Sequence, residues 1–96
     1  MKKHRIYIPI YDHYIHLSVV DDIGNCSAYV DIYKEEKVLH VVLQKDKITP
    51  SLIVHETVHL VNAIFNFKGV KLDTENDESQ AYLTEFIFNE ISKRIL

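Results

Sequence analysis

The chain contains the string His55-Glu56-Thr57-Val58-His59, two imidazoles bracketing a carboxylate. On a helix, residues four apart project from one face, one turn apart. Two histidines so placed can hold one Zn²⁺, each with a Zn–N distance of about 2.0–2.1 Å. The glutamate between them can reach a water at such a centre and take its proton. The chemistry this implies is hydrolysis by an activated water. It needs a helix under the motif, a third ligand, and an open fourth position.

The residues around the motif predict that helix. Thr49-Pro50 reads as an N-cap hydroxyl followed by proline at the first helical position. Residues 50–66 contain no glycine and no further proline, and Gly69 is a suitable stop. Val54, Val58, Val61 and Phe65 recur at three- and four-residue steps and predict an apolar stripe, widened by Ile53, Leu60 and Ile64. His55, His59 and Asn62 fall on an adjacent polar strip. The β-branched residues Ile53, Val54, Thr57, Val58, Val61 and Ile64 lower intrinsic helix propensity, so burial has to hold the segment helical.

A polar connector, residues 68–76, leads to a second amphipathic segment over residues 77–94, capped by Asn76 or Asp77. Ala81, Leu83, Phe86, Ile87, Ile91 and Ile95 supply its apolar contacts. Two carboxylates near its start are candidate third ligands: Glu78 in the first turn and Glu75 just before it. Eighteen residues separate His59 from Glu78, giving HExxH-x18-E. With that spacing, the region from Thr49 to Ile87 resembles the gluzincins, zinc peptidases whose third ligand is a glutamate on a following helix. The spacing is that of the M1-type aminopeptidases and one residue shorter than that of thermolysin. The string Asp77-Glu78-Ser79-Gln80-Ala81-Tyr82 also resembles their third-ligand helix. The resemblance implies a small zincin-like domain with His55, His59 and Glu78 as zinc ligands and Glu56 as general base. It extends to short metallopeptidase-like proteins of phages and bacteria.

The chain departs from those families at defined points. It has no GxMEN-like segment, so aminopeptidase specificity does not carry over. Tyr82 stands where the thermolysin pattern has an aspartate. Asn62 and Phe65 stand where the HExxHxxGxxH pattern of metzincins has its glycine and third histidine. Tyr82, one turn from Glu78, is the first candidate for donating to a transition-state oxyanion; a half-buried helix tyrosine is the plainer reading.

Length and composition set the frame. The 96 residues make one domain, and 47% hydrophobic with 26% charged residues is globular composition. No apolar run reaches the roughly 18 residues of a membrane span, and nothing resembles a cleavable signal peptide. A net charge of −3 argues against nonspecific nucleic-acid binding. The basic start, Lys2, Lys3, His4 and Arg5, reads as a solvated terminus. Cys26 is the one cysteine, so no internal disulfide forms, and a cytoplasmic location is the default expectation.

Ahead of the motif, residues 5–48 read as strands. Residues 5–10 and 14–20 are β-rich, and residues 21–25 form a turn. Residues 28–33 alternate with the period of a half-buried strand, Lys34-Glu35-Glu36-Lys37 is a hairpin connection, and residues 38–43 form an apolar strand. The expected fold is therefore α+β: an N-terminal antiparallel sheet of three to four strands, then the HExxH helix and a C-terminal third-ligand helix. The strand at 38–43 is either the rim of the cleft, where an extended peptide adds by main-chain hydrogen bonds, or a central strand. His4, His13, His16 and His40 read as surface or interface residues, with His13 and His16 on opposite faces of one strand.

Three functions fit. The first is a zinc-dependent peptidase acting on a peptide or protein, with Glu56 as base. The second is a catalytically inactive or regulatory metal-binding module. The third is a structural or interaction protein in which HExxH has no chemical role.

Overall fold

The computed structural model describes residues 2–33 and 38–96. Four strands come first: β1 (Lys2–Ile8), β2 (His13–Val20), β3 (Ala28–Tyr33) and β4 (Val38–Gln44). A single 3₁₀ turn, Lys45–Lys47, leads to α1 (Pro50–Lys68), and α2 (Glu78–Ile95) closes the chain. The expected hairpin connection at residues 34–37 lies outside the described residues.

The sheet order is β1-β2-β4-β3. β1 pairs antiparallel with β2 and β3 pairs antiparallel with β4, but β2 and β4 run parallel, with Ile15 opposite Leu39 and Leu17 opposite Val41. The sheet is therefore mixed, which corrects the antiparallel expectation. The physical reason lies in β4. Leu39, Val41 and Leu43 are buried on one face, and Val38 and Val42 are half-buried on the other. Such a strand loses most by sitting at an edge, and it takes a central place. β3, which carries Tyr29 and the exposed Asp31, takes the edge, where a charged side chain blunts unwanted pairing.

One face of the sheet carries Ile6, Ile8, Ile15, Leu17, Leu39, Val41 and Leu43, all buried against residues of both helices. α1 contributes Ile53, Leu60, Val61, Ala63, Ile64 and Phe65, and α2 contributes Leu83, Ile87 and Ile91. Burying one large aliphatic side chain contributes about 1.5–3 kcal/mol, and this two-layer core is what keeps the β-branched α1 helical.

The apolar stripe of α1 is rotated from the expected one. Val54 and Val58 remain 47% and 45% exposed, while Glu56 and Thr57 are buried. Thr57 tolerates burial because its Oγ1 donates to the Ile53 carbonyl at 2.7 Å. The helix ends follow the sequence closely. Leu52 N–H donates to Thr49 Oγ1 at 3.1 Å. Gly69 adopts φ 68°, and Val70 N–H donates back to the Phe65 carbonyl at 2.9 Å, a left-handed stop that glycine accommodates without strain. At the far end of α2, Lys93 at 2.6 Å and Arg94 at 3.1 Å from the Glu90 carboxylate hold it below the usual carboxylate range.

His13 is the other departure. It is buried at 3% exposure, stacked on Phe67 with ring centroids 5.3 Å apart, and so is a core residue and not a surface one.

Candidate metal centre

α1 presents His55 and His59 on its exposed side, the two rings 4.9 Å apart between centroids and inclined at 73°. Their Nε2 atoms converge to 3.3 Å. Two nitrogens bound to one tetrahedral zinc at about 2.0–2.1 Å would lie about 3.3–3.4 Å apart, the edge of the coordination tetrahedron. The same separation admits an N–H···N hydrogen bond between opposite tautomers. A metal would draw both nitrogens to one centre, whereas the hydrogen bond directs one at the other; both require the two rings to converge on the same side of α1.

Beside them lies a cleft of about 640 Å³ between α1 and the edge strand β3, lined by Ala28, Tyr29, Val30, His55, Glu56, His59, Asn62, Ala63 and Asn66. Glu56 is only 5% exposed, yet it lines this cleft with both histidines. A carboxylate in that position is largely withdrawn from bulk water while still facing the cleft. A second depression continues from Ala28, His55 and Glu56 towards Ser27, Lys47, Thr49, Ser51 and Leu52. The two join into a groove along α1 from Thr49 to Asn66, with the histidine pair part-way along it.

The remaining candidates lie elsewhere. Glu78 opens α2 and is exposed; neither it nor Glu75 is among the residues lining the histidine cleft. Among the described residues, no group of three or more His, Cys, Asp or Glu side chains is close enough to hold a metal ion. Two short-range bonds shape the connector before Glu78: Glu75 N–H to Asp73 Oδ1 at 3.0 Å and Asn76 N–H to the Asp73 carbonyl at 3.1 Å. Asp77, the N-cap of α2, makes no side-chain capping bond. Tyr82 is 67% exposed and lines a different, apolar groove with Ile8, Pro9, Ile10, Tyr11, Leu83 and Phe86. Cys26 sits in an exposed loop, its Sγ 3.9 Å from the Ile23 carbonyl oxygen. No helix among the described residues is long and apolar enough to cross a membrane.

Sequence reasoning placed Asn62 beside the histidines but missed Asn66 and the β3 residues opposite. Asn66 shares the strip at i+7 from His59 and was legible from helical spacing. The β3 wall was not, because it depends on which strand takes the edge.

Comparison with known protein families, with curated proteins and with solved structures finds no match.

Proposed function

We propose that this chain is a zinc-dependent peptidase that cleaves extended polypeptide segments internally. The observation that carries the reading is the convergence of His55 and His59 Nε2 to 3.3 Å beside the buried Glu56. The two imidazole nitrogens at tetrahedral spacing supply two of the three protein donors that a zinc centre takes, with the carboxylate of the prospective base on the same helix turn. Glu78 is the proposed third ligand, with Glu75 as the alternative. Zinc, when bound, supplies Lewis acidity, lowering the pKa of a coordinated water towards about 7 and polarising a carbonyl.

The chain's own residues do the rest. The Glu56 carboxylate accepts the proton of the attacking water as the new C–O bond forms, then passes it to the amine nitrogen as the C–N bond breaks. The edge of β3 offers main-chain groups to an extended segment, and the β4 rim considered from sequence is replaced in this role by β3. From Thr49 to Asn66 the groove spans about 25 Å at about 1.5 Å per helical residue, room for seven or eight extended residues. Substrate can lie on both sides of the histidines, which favours internal cleavage. The exposed position of Glu78 specifically favours a second reading, a metal-binding module without hydrolytic activity.

Zinc stoichiometry by elemental analysis, on wild type beside His59→Ala and Glu78→Ala, tests the site. One zinc per chain, lost or strongly weakened in both variants, is the expected result. No zinc in wild type after refolding with metal would sink the reading. Zinc that persists in Glu78→Ala moves the third ligand to Glu75 or another residue.

A further inference from the structure

Among the described residues, no helix or strand packs on the face of the sheet turned away from α1 and α2. Its described side chains are exposed or half-buried, Tyr7 and Tyr29 being 44% and 40% exposed, whereas the opposite face is buried. The strand register arranges this face in transverse rows. The central row reads Arg5, His16, His40, Asp31 across β1, β2, β4 and β3. The row on one side reads Lys3, Ser18, Val42, Tyr29, and the row on the other begins Tyr7, Tyr14, Val38. The rows are ordered in charge: cations stand on β1 at one edge, and the central row ends in a carboxylate on β3 at the other. Arg5 and Asp31 are both exposed, and the Arg5 guanidinium lies 4.0 Å above the Tyr14 ring.

We infer that this face docks a second copy of the same chain, about a two-fold axis lying between the sheets and running along the strands between β2 and β4. That operation carries β1 of one copy over β3 of the other and keeps every row in register. Arg5 then meets the second copy's Asp31, and symmetry makes the pair twice. His16 meets His40, Tyr14 meets Val38, and Lys3 meets the Tyr29 ring, a cation over an aromatic face. The alternative axis, across the strands, would lay β1 over β1 and oppose Arg5 to Arg5. Charge complementarity therefore selects one of the two symmetric packings. Aligned sheet packing accommodates strand directions within about 30° of each other, so the central row survives the twist of the sheets.

The area sets the strength. Four strands about 4.8 Å apart and about 20 Å of strand length give roughly 400 Å² of flat face per copy, below the roughly 800 Å² per partner of a standard interface. The dimer is accordingly weak and forms in the high micromolar range, and it weakens as salt screens the two ion pairs.

Sedimentation velocity over 10 to 500 µM, approximate limits chosen to bracket a weak interface, tests this on wild type, Arg5→Glu, Asp31→Lys and the double variant. Wild type is expected to dimerise with rising concentration. Each single swap, which opposes like charges twice, is expected to weaken association at least tenfold, and the double variant to restore it. Circular dichroism confirms that each variant is folded, and the double variant shares any loss caused by the missing Arg5–Tyr14 contact. A wild type that stays monomeric, a dimer indifferent to the single swaps, or a double variant that fails to regain association would each overturn the inference.

Discussion

The molecule holds two histidine pairs of nearly equal ring geometry. His55 and His59 on α1 have centroids 4.9 Å apart at 73°; His16 and His40 on the sheet have centroids 5.0 Å apart at 76°. Their surroundings differ. The α1 pair is exposed, brings its two Nε2 atoms to 3.3 Å, and shares a groove with a buried carboxylate. The sheet pair is half-buried in register across parallel strands, between Arg5 and Asp31. Ring proximity is thus shared by a pair beside a buried carboxylate in a cleft and a pair that belongs to a sheet face. What separates them is where the nitrogens lead and what acid or base stands within reach. A helix supplies both through one short string of residues.

The largest expected effect follows from that carboxylate. Glu56→Gln keeps the shape of the side chain and removes its basicity. Hydrolysis of a mixture of proteome-derived peptides, followed by mass spectrometry, is expected to fall by about 10²–10⁴-fold, with zinc still bound. Undiminished cleavage in this variant would remove Glu56 from the chemistry and erase the main difference between the pairs.

Next comes the metal itself. Substituting a partner that merely supports a ligand costs roughly 10–100-fold in affinity, so His59→Ala, which removes a ligand, is expected to cost more than that. His40→Ala is expected to leave zinc affinity unchanged. Competition titration against a chromophoric chelator measures both. Equal losses would mean that zinc bridges or chooses between the pairs, and the assignment to α1 would fail.

How much of this was legible in the sequence follows the range of the interactions. The ends of α1 were legible because capping is local: Thr49, Pro50 and Gly69 act within one turn. β2 and β4 were legible because apolar residues alternate along them, but β1 starts at Lys2, so the basic start read as a solvated terminus is instead strand paired with β2, a non-local contact that its charged residues do not announce. The parallel pairing of β2 with β4 was not legible, since local alternation is the same whichever neighbour a strand takes. From that unseen choice follow the edge position of β3 and the wall of the cleft. The stripe of α1 was misplaced by part of a turn because Thr57 reads as polar, yet buries once its hydroxyl bonds to the Ile53 carbonyl. Spacing brought Glu78 to the start of α2 but could not orient that turn towards the histidines. Helix–helix orientation is set by packing of Leu83, Ile87 and Ile91, none of which encodes where Glu78 points.

The smallest expected effect is on stability, and here the two pairs should trade places. On an exposed helix position alanine is favoured over histidine by about 0.5 kcal/mol, so His59→Ala in the presence of chelator is expected to leave stability unchanged or raise it slightly. His40 sits in a central strand with its ring against His16, and losing such a cross-strand contact costs about 0.2–1 kcal/mol; His40→Ala is expected to destabilise by that order. Urea denaturation of both variants at metal-free conditions reads the contrast. A residue whose removal helps the fold but abolishes binding is retained for what it binds, whereas one whose removal weakens the fold needs no ligand to account for it. If His59→Ala proved the more destabilising of the two, the α1 pair would be an ordinary structural contact, and its 3.3 Å approach would be a hydrogen bond holding the helix surface together.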